Sequence, residues 1–559
     1  MNSRIGQSRS TLVSDFETTT DKDDCRVWAW GVCSVWDTSL VELGNSIESF
    51  IRRCTNENAT IYFHNLAFDG MFILDYIMKH GFVHVDRNPK NGEFSTLISD
   101  KGKFYSITVR WDNGILTEFR DSLKKLPMSV SNIATSFNLD EIKGSIDYDE
   151  YRPVGHKLTD AEKDYIINDV TIVAKALRVQ LEEGMLKLTV GSDSLKQFKD
   201  GIGKKQFSRL FPQLPLPMDA EIRLAYRGGF TYADERTRGR IVGPGKAYDV
   251  NSLYPSVMYD SVLPYDHPRF TRGKPEITEA YPLFITSITF TAELKPGHIP
   301  CIQVKGSPYF VGTEYQRSIP EPVTMFCTNV DLDLWYEHYD MDILSYNGAW
   351  QFKGLQGIFN DYIDYWSNIK KTETGGLRTI AKLHLNSLYG KFATNPNVTG
   401  KIPYLQNGVV HLALGPEDQR APVYTAMGVF ITAYARDRTI RAAQANYGSF
   451  LYADTDSLHL QTLDAPAGLT VDDHELGAWK HEYSFKRALF ARAKAYTVQF
   501  EDEALLTHIA GLPDTVAKDV GFADYFNGKV FSGKLQPKRV SGGVVLEDVG
   551  FTLNKLINQ

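Results

Sequence analysis

An acidic pair interrupts an apolar run of this 559-residue chain, "SFLYADTDSLHLQTL", in which Asp454 and Asp456 stand two residues apart. If the run is one strand, both carboxylates point to the same face and repel each other. A turn is the alternative, because Asp is common in turns. A bound divalent cation would convert the repulsion into attraction. The run therefore predicts either a turn or one part of a metal site.

A further carboxylate suits the same site. Asp249 in "AYDVNSLYPS" ends a short apolar strand, where an Asp more often caps the helix that follows. Taken together, Asp249, Asp454 and Asp456 favour a shared site, in which two metals about 3.5–4 Å apart can activate an attacking oxygen and stabilise a leaving oxygen. Mg²⁺ is the ion we expect, because it prefers oxygen ligands and leaves room for substrate phosphates.

A second acidic set lies nearer the N-terminus. "SDFETT" places Asp15 and Glu17 on one strand face, and "YFHNLAFDG" places Asp69 at the start of a helix. In a later helix that opens with a capping box, Tyr165 and Asp169 share a face. Asp69 as an N-terminal helix charge and Asp169 as a solvated position are the alternatives. Together, the four carboxylates and the tyrosine predict two metals and a water directed at a phosphodiester.

One helix combines cations with an aromatic residue. In "GGLRTIAKLHLNSLYGKF", Arg378, Lys382, Asn386 and Tyr389 form one stripe, and Lys370 lies just upstream. A solvated charged face is the usual meaning of such a pattern. The Asn and the Tyr favour a nucleotide instead, since cations bind phosphates and an aromatic plane stacks on a base.

Composition limits the class of protein. The chain is too long for one core, and 43% hydrophobic residues without a long uncharged apolar run predict a soluble protein of several domains. Five scattered cysteines and an N-terminus without the apolar core of a signal peptide favour a reducing, intracellular setting. The net charge of −7 argues against a general polyanion binder, yet residues 366–391 hold five basic residues and one acidic residue.

Two shorter patterns point to a primer strand. Thr432 and Arg436 in "FITAYAR" share a helical face, and Lys494 and Tyr496 in "KAYTV" share a strand face. Each pair alone is weak evidence, since surface strands often carry a Lys and a Tyr two residues apart.

At these residues the chain resembles a known family. "DVNSLYPS", "KLHLNSLYG" and "YADTDS" resemble the three polymerase motifs of family B DNA polymerases. "DFETT", "HNLAFD" and "YIIND" resemble the three motifs of their 3′–5′ proofreading exonuclease, and "YRGGF" resembles the segment between the two domains. The spacing, the two insertions and the length most closely resemble the protein-primed phage polymerases of the phi29 type.

The resemblance implies an α/β (α+β) fold, with an RNase H-like exonuclease domain followed by a right-hand polymerase domain that carries two insertions. The implied division is an exonuclease at 1–190, a palm at 191–260 and 428–512, terminal-protein region 1 at 261–357, fingers at 358–393, terminal-protein region 2 at 394–427, and a thumb at 513–559.

It also implies roles for single residues. The polymerase metal ligands would be Asp249, the Val250 carbonyl and Asp456, with Asp454 adjacent. The exonuclease metal ligands would be Asp15, Glu17, Asp69 and Asp169, helped by Tyr165 and Lys143. Tyr254 would exclude a ribose 2′-OH, and the nucleotide would be bound by Lys370, Arg378, Lys382, Asn386 and Tyr389. Single-stranded DNA would contact Thr18, His64, Asn65, Phe68, Ser122 and Leu123. Other DNA contacts would come from Tyr226, Gly228, Gly229, Thr432, Arg436, Lys494 and Tyr496.

Cofactors and partners follow from the same resemblance. Two Mg²⁺ ions per active site are expected, with Mn²⁺ as a substitute. The expected partners are template and primer DNA, dNTPs, single-stranded DNA in the exonuclease site, and a terminal protein whose hydroxyl serves as primer. The first insertion would dock that protein, and the second would close around DNA to support processivity and strand displacement. The expected form is a monomer without membrane association in the host cytoplasm, paired with the terminal protein at initiation.

The sequence leaves several points open. By the resemblance, Arg378 stands where a Lys is expected, and Arg binds phosphate as a fork. Met128 stands where an aromatic DNA contact is expected, so strand capture would be weaker. An exonuclease with a vestigial polymerase half and a non-catalytic DNA-binding scaffold are rival hypotheses, and Tyr254 disfavours an RNA polymerase. The terminal protein, its priming hydroxyl, the host, processivity and fidelity are not encoded in any motif.

Overall fold

The N-terminal part of the chain is built around one mixed sheet. The computed structural model describes residues 9–306 and 309–553, so the outer ends of the first and last predicted domains lie outside the described residues. The first elements are β1 (Ser10–Thr18), β2 (Val27–Ser34), β3 (Val41–Gly44), α1 (Ile47–Cys54), β4 (Ala59–Phe63), α2 (Leu66–Lys79), β5 (Val83–His84), β6 (Glu93–Ile98), β7 (Phe104–Arg110), β8 (Leu116–Asp121), α3 (Val130–Ser136) and α4 (Asp160–Glu182).

The strand order of this N-terminal sheet is β3-β2-β1-β4-β8-β7-β6-β5. Strands β1, β4 and β8 run parallel, so their carboxyl ends meet at one edge of the sheet. Helix α4 packs on β1 and β2. It begins with the predicted capping box, in which the Glu162 N–H donates to Thr159 Oγ1 and the Thr159 N–H donates to Glu162 Oε2. The edge and the helix frame the first acidic set.

The middle of the chain adds short helices, one complete sheet and strands of two other sheets. Its elements are α5 (Val190–Ile202), α6 (Lys204–Leu210), α7 (Leu216–Arg223), β9 (Thr231–Ala233), β10 (Ile241–Val242), β11 (Gly245–Val250), α8 (Leu253–Asp260), β12 (Leu263–Thr271), β13 (Leu283–Leu294), β14 (Ser318–Thr328), α9 (Asn329–His338) and β15 (Tyr339–Leu355). Strands β12-β15-β13-β14 form an antiparallel sheet. The described residues between 264 and 322 contain no helix, as their prolines predict.

The rest of the chain includes three strands that complete a central sheet. In chain order, its elements are α10 (Asn360–Thr372), α11 (Gly375–Phe392), β16 (Lys401–Gln406), β17 (Val409–Leu414), α12 (Thr425–Ala445), β18 (Phe450–Asp454), β19 (Ser457–Leu460), β20 (Trp479–Phe485), β21 (Arg487–Arg492), β22 (Ala495–Gln499), β23 (Leu505–Ile509), α13 (Asp514–Ala517), β24 (Lys529–Phe531), β25 (Leu535–Val540), β26 (Gly543–Asp548) and β27 (Phe551–Leu553). Of these, β18, β19 and β20 join β9 and β11 in the central sheet, whose order is β20-β11-β19-β18-β9. The helices predicted at 375–391 and 426–446 are confirmed as α11 and α12, to within one residue at each end.

Two large apolar cores hold these layers together. One lies around the N-terminal sheet and includes Phe50, Phe63 and Phe119. The other runs from α3 and α4 through α11 and α12 to the central sheet, so apolar packing continues across the boundary predicted near residue 190. The positions of the domain boundaries therefore stay predictions. No helix among the described residues has the length and apolar character to cross a membrane.

Candidate active sites

Strand β1 and helices α2 and α4 bring four carboxylates together in what we call the N-terminal carboxylate site (Asp15, Glu17, Asp69 and Asp169). Three of these residues are nearly fully buried, with exposed fractions of 5% for Glu17, 4% for Asp69 and 3% for Asp169. Burial raises the pKa of Asp15, and the charge of Asp169 raises it further. Burial and the charge of Asp15 likewise raise the pKa values of Glu17 and Asp69. The predicted set is thus assembled, and its charges repel one another.

The two predicted helpers flank this site. Lys143 Nζ lies 2.8 Å from Asp169 Oδ2. Burial alone would lower the pKa of Lys143, but the hydrogen bond to Asp169 and its charge raise it above its usual value. The Tyr165 hydroxyl lies 2.6 Å from the hydroxyl of Tyr148. Tyr148 was not predicted; it lies in a segment without helix or strand, where no periodic pattern could have marked it.

The predicted single-strand contacts gather where β4 and β8 end. His64 follows β4, and its ring nitrogens lie 3.0 Å from Ser122 Oγ and 2.8 Å from the Met128 carbonyl oxygen. Burial lowers the pKa of His64, which favours the neutral ring. Thr18 ends β1 and Phe68 lies in the first turn of α2, both partly buried.

A carboxylate that the sequence did not predict holds this cluster. Asp121 Oδ1 accepts hydrogen bonds from the backbone N–H groups of Asn65 at 3.1 Å and Leu123 at 3.0 Å. Asn65 adopts a left-handed backbone conformation with a φ of 83°. A cavity of about 260 Å³ connects the cluster to the acidic site, and its lining includes Asp15, His64, Ser129, Lys143 and Asp169.

The second acidic pair lies in a hairpin and not on one strand. Strand β18 ends at Asp454 and β19 begins at Ser457, so Thr455 and Asp456 form a two-residue turn. Thr455 has a φ of 61°. The expectation that both carboxylates share one strand face is therefore wrong, because the chain reverses between them. The turn alternative describes the backbone, but it does not exclude a shared site.

Asp456 meets Asp249 through strand pairing; we call these two residues the central carboxylate site. Strand β11 pairs with β19, and the Val250 N–H donates to the Asp456 carbonyl oxygen at 2.8 Å. Burial and the charge of Asp456 raise the pKa of Asp249 to about 7. Asp454 differs, because Lys494 Nζ lies 2.7 and 2.8 Å from its two carboxylate oxygens.

Both sites have a donor set that suits a hard divalent cation. All side-chain donors are carboxylate oxygens, and Asp169 Oδ1 is buried without a hydrogen-bond partner among the described residues. Within residues 9–306 and 309–553, no group of three or more His, Cys, Asp or Glu side chains is arranged so that it could hold an ion by itself. Any ion would need further oxygen ligands, which water and substrate phosphates can provide.

The predicted nucleotide stripe faces the central carboxylate site. The rings of Tyr254 on α8 and Tyr389 on α11 are stacked, with centroids 3.9 Å apart and planes 17° apart. Burial raises the pKa of Tyr254, and the charge of Asp456 contributes, so this stack lies near the acidic pair. Arg378 and Lys382, like Asn386 on the same helix, are exposed.

Lys370 joins the stripe from α10. Its ammonium group donates to Ser252 Oγ at 3.1 Å. Burial lowers the pKa of Lys370, and the charges of Lys382 and Arg378 lower it further. Ser252 was not predicted: a Ser before a helix reads as an N-cap, yet it has a φ of 58° and makes no capping bond. Three cations thus converge, and no acidic residue within 9–306 and 309–553 forms an ion pair with Lys370, as an anion site requires.

Comparison with known proteins agrees with this geometry. A sequence profile described as DNA polymerase type B, organellar and viral, matches residues 50–157 and 146–474. The chain belongs to this family of type B DNA polymerases. The DNA polymerases of Bacillus phages Nf and phi29 are 46% and 45% identical to it, over 98% of this chain and 100% and 99% of theirs. The DNA polymerase of Streptococcus phage Cp-1 is 31% identical over 97% of this chain and 98% of its own.

Solved structures give the same family. Phi29 DNA polymerase complexed with primer-template DNA and incoming nucleotides has a TM-score of 0.93 at 44% identity, covering 98% of this chain and 100% of its own. The phi29 enzyme complexed with single-stranded DNA has a TM-score of 0.92 at 43% identity and the same coverage. The mixed α and β fold class is thereby confirmed, as is the phi29-type resemblance.

The polymerase buries two of the predicted primer contacts. Thr432 is 1% exposed, and its hydroxyl donates to backbone carbonyls of its own helix. Arg436 is 5% exposed, with Nη2 2.6 Å from Asp331 Oδ1 and Nη1 donating to the carbonyl oxygens of residues 227 and 228. Arg436 thus joins α12 to other segments, and Thr432 bonds within its own helix, so any contact of either with a primer stays a prediction. The helix α12 places their shared face inward, which periodicity alone could not show.

The other predicted primer contacts line one cavity of about 410 Å³, whose lining residues are Asp454, Thr455, Asp456, Ser457, Lys494, Tyr496 and His508. We expected Lys494 to lie on the same strand as Tyr496, and this is wrong. Lys494 lies in the turn before β22 and has a φ of 57°. The hairpin between β21 and β22 needs that turn, since Arg492 pairs with Ala495.

The segment "YRGGF" of the polymerase runs beside the acidic hairpin. Tyr226 is partly buried against the larger core, and Gly228 has open space around its Cα. A Cβ at position 229 would approach the Thr455 side chain to 2.7 Å. Gly229 therefore allows the close approach of this segment to the turn that carries Asp456.

Proposed function

We propose that this polymerase copies phage DNA by protein-primed initiation and processive strand-displacement synthesis, and that it proofreads with a 3′–5′ exonuclease. The observation that supports this most is the presence of two separate acidic sites with different surroundings. The central carboxylate site lies beside a cationic and aromatic stripe, as nucleotide addition requires. The N-terminal carboxylate site opens on a cavity lined by His64 and Lys143, as hydrolysis of a frayed strand end requires.

The proposal assigns a role to each part of the chain. Residues 1–190 are the RNase H-like exonuclease; 191–260 and 428–512 are the palm, 358–393 the fingers and 513–559 the thumb. The insertions at 261–357 and 394–427 dock the terminal protein and surround the DNA, respectively. Two Mg²⁺ ions, or Mn²⁺ in their place, would be held in each active site. The ligands would be Asp249, the Val250 carbonyl and Asp456 in the palm, and Asp15, Glu17, Asp69 and Asp169 in the exonuclease.

In synthesis, the primer 3′ oxygen attacks the α-phosphorus of a dNTP and pyrophosphate leaves. When bound, the metals polarise the phosphate and favour the ionised primer oxygen. Lys370, Arg378 and Lys382 bind and orient the triphosphate. Tyr389 supports the base with Asn386, and Tyr254 lies where it can press on the sugar and exclude a 2′-OH. Lys494 and Tyr496 hold the primer end.

In proofreading, the N-terminal residues bind an unpaired strand end and orient the water that hydrolyses it. Lys143 holds Asp169 by an ion pair, and the Tyr165 hydroxyl, which already bonds to Tyr148, positions the water. His64, Asn65, Ser122 and Leu123, with Thr18 and Phe68, form the cradle for the strand. Met128 offers no ring on which a base can stack, so this cradle holds DNA less firmly than an aromatic residue would.

The partners of the reaction are inferred from similar proteins and from the motifs. Phi29 polymerase has been crystallised with primer-template DNA, nucleotides and single-stranded DNA, and we extend these ligands to the present chain. A terminal protein provides the first hydroxyl, forming a heterodimer with the otherwise monomeric polymerase in the host cytoplasm. Incubation with dNTPs, Mg²⁺ and a candidate terminal protein should yield a covalent protein–nucleotide adduct. If no adduct forms while primer extension is intact, protein priming is contradicted, and the proposal of DNA synthesis is not affected.

Separation of the two activities tests the central claim. Asp456→Ala should abolish primer extension and spare degradation of single-stranded DNA, because only the central site loses a ligand. The double variant Asp15→Ala/Asp69→Ala should do the reverse. Folding is checked by circular dichroism in both. Loss of both activities in both folded variants would show that there is one site and not two. If the parent protein binds DNA equally well with and without Mg²⁺ and turns over no nucleotide, the result would favour the hypothesis of a non-catalytic DNA-binding scaffold.

A further inference from the structure

Lys480 lies in a position that the sequence did not mark. Strand β20 pairs antiparallel with β11, and Lys480 stands directly opposite Asp249. On the other side of β11, Asp249 stands opposite Ser457, the residue after Asp456. Residues that are directly opposite in an antiparallel pair point to the same face of the sheet. The ammonium group of Lys480 therefore projects on the face that carries the central carboxylate site.

The surroundings of Lys480 leave its charge available. Its Nζ lies 3.2 Å from Glu482 Oε1, and the two side chains are 41% and 40% exposed, so this ion pair is weak and easily exchanged. Its charge counters the rise in the pKa of Asp249 that burial and Asp456 cause. It also adds to the effects of burial, Lys382 and Arg378 that lower the pKa of Lys370. Lys480 is thus near both Asp249 of the central carboxylate site and Lys370 of the nucleotide stripe.

We propose that Lys480 is a further nucleotide-binding residue of this polymerase, contributing a cation to the β- and γ-phosphates of the incoming dNTP opposite Lys370, Arg378 and Lys382. This rests on the proposed function. The cations of α10 and α11 would contact the polyphosphate from one side, and Lys480 of β20 would contact it from the other. As the bond from the primer oxygen to the α-phosphorus forms, the bond from that phosphorus to the bridging oxygen breaks. The electron pair stays on pyrophosphate, and the hydroxyl proton passes to solvent. Lys480 would stabilise the leaving pyrophosphate.

The rival role for Lys480 on the same geometry is to neutralise Asp249. The two roles predict different kinetics. A residue that binds the polyphosphate changes the KM for dNTP and the inhibition by pyrophosphate. A residue that only balances Asp249 changes kcat and the metal dependence and leaves pyrophosphate inhibition unaltered.

The experiment compares Lys480→Ala, Lys480→Arg and the control Lys486→Ala with the parent protein in steady-state primer extension. Lys486 is exposed and lies in the turn between β20 and β21. It forms its ion pair with Glu503, which is outside that turn. For Lys480→Ala we expect the KM for dNTP and the inhibition constant of pyrophosphate each to rise about tenfold, because one charge-assisted hydrogen bond to the polyphosphate is lost. Lys480→Arg should stay within about threefold of the parent, and the control should not change.

Two further measurements complete the test. Exonuclease activity on single-stranded DNA and the Kd for primer-template DNA should be unchanged in Lys480→Ala, which confirms that the variant is folded. An unchanged KM and unchanged pyrophosphate inhibition overturn the proposal, as does a fall in kcat alone or a weaker affinity for primer-template DNA. If the parent protein itself does not extend primers, the proposed function fails, and this failure is distinct from that of Lys480.

Discussion

The central carboxylate site should make the metal-free protein less stable, and Asp249→Asn should relieve this. Asp249 lies partly buried near Asp456, and these surroundings raise its pKa from the ordinary 3.8 to about 7. Asparagine keeps the shape of the side chain but carries no charge. The variant should therefore lose primer extension, since a metal ligand is gone, and yet unfold at a higher urea concentration than the parent in a chelating buffer.

The magnitude follows from the pKa difference. A rise of about 3 pH units corresponds to about 4 kcal/mol at the upper limit, at about 1.4 kcal/mol per unit. Between pH 4 and pH 7 the folded protein holds the Asp249 proton more often than the unfolded chain does. The free energy of unfolding of the parent therefore falls as pH rises, and the loss is complete above pH 7. After relaxation and screening by salt, we expect about 1–3 kcal/mol in favour of the variant at pH 8.

The assay is urea unfolding of both proteins at pH 5, 6, 7 and 8 with EDTA, and again with Mn²⁺. The difference in unfolding free energy should grow from pH 5 to pH 7 and then stay constant. Mn²⁺ should stabilise the parent more than the variant. Asp473→Asn, which changes an exposed carboxylate, should match the parent throughout. Equal stability of Asp249→Asn and the parent at pH 8, or a difference independent of pH, would refute the reasoning.

Three other substitutions test separate parts of the structure. Tyr254→Val removes the ring stacked on Tyr389 and should admit ribonucleotides, raising the ratio of rNTP to dNTP incorporation; unchanged discrimination contradicts the sugar-gate role. Lys125→Met leaves the buried carboxylate of Asp193 without its partner at 2.7 Å and should cost about 3–5 kcal/mol in urea unfolding, while Lys125→Met/Asp193→Leu should recover most of it. Met128→Phe should tighten binding of single-stranded DNA several-fold in a fluorescence titration, whereas Met128→Leu should not; equal affinities would mean that no base stacks there.

Local patterns predicted the elements that carry the sites. The capping box before α4, the i and i+4 spacing of Tyr165 and Asp169, and the stripe on α11 all depend on residues close in the chain, and the structure has each as expected. Between the strand and the turn left open for Asp454 and Asp456, the structure has the turn; local pattern could not decide, since a hairpin and an apolar strand use the same residue types.

Contacts between distant segments were beyond the reach of such patterns. Tyr148, Asp121 and Ser252 touch predicted site residues; Ser252 even lies within "DVNSLYPS", yet no local spacing marks any of the three as such a contact. Arg436 was predicted as a primer contact and is buried against Asp331, because the side of α12 that packs inward depends on the insertion it meets.

The sequence by itself determined which residue types stand at each short spacing, and so the acidic motifs, the helix stripe and the family likeness. Only the tertiary structure decided which cations stay exposed, that Lys494 pairs with Asp454, and that Lys480 stands opposite Asp249. The physical reason is that helices and turns form from neighbours in the chain, whereas burial and the summed field of charges come from segments that meet only when the sheets pair and the cores close.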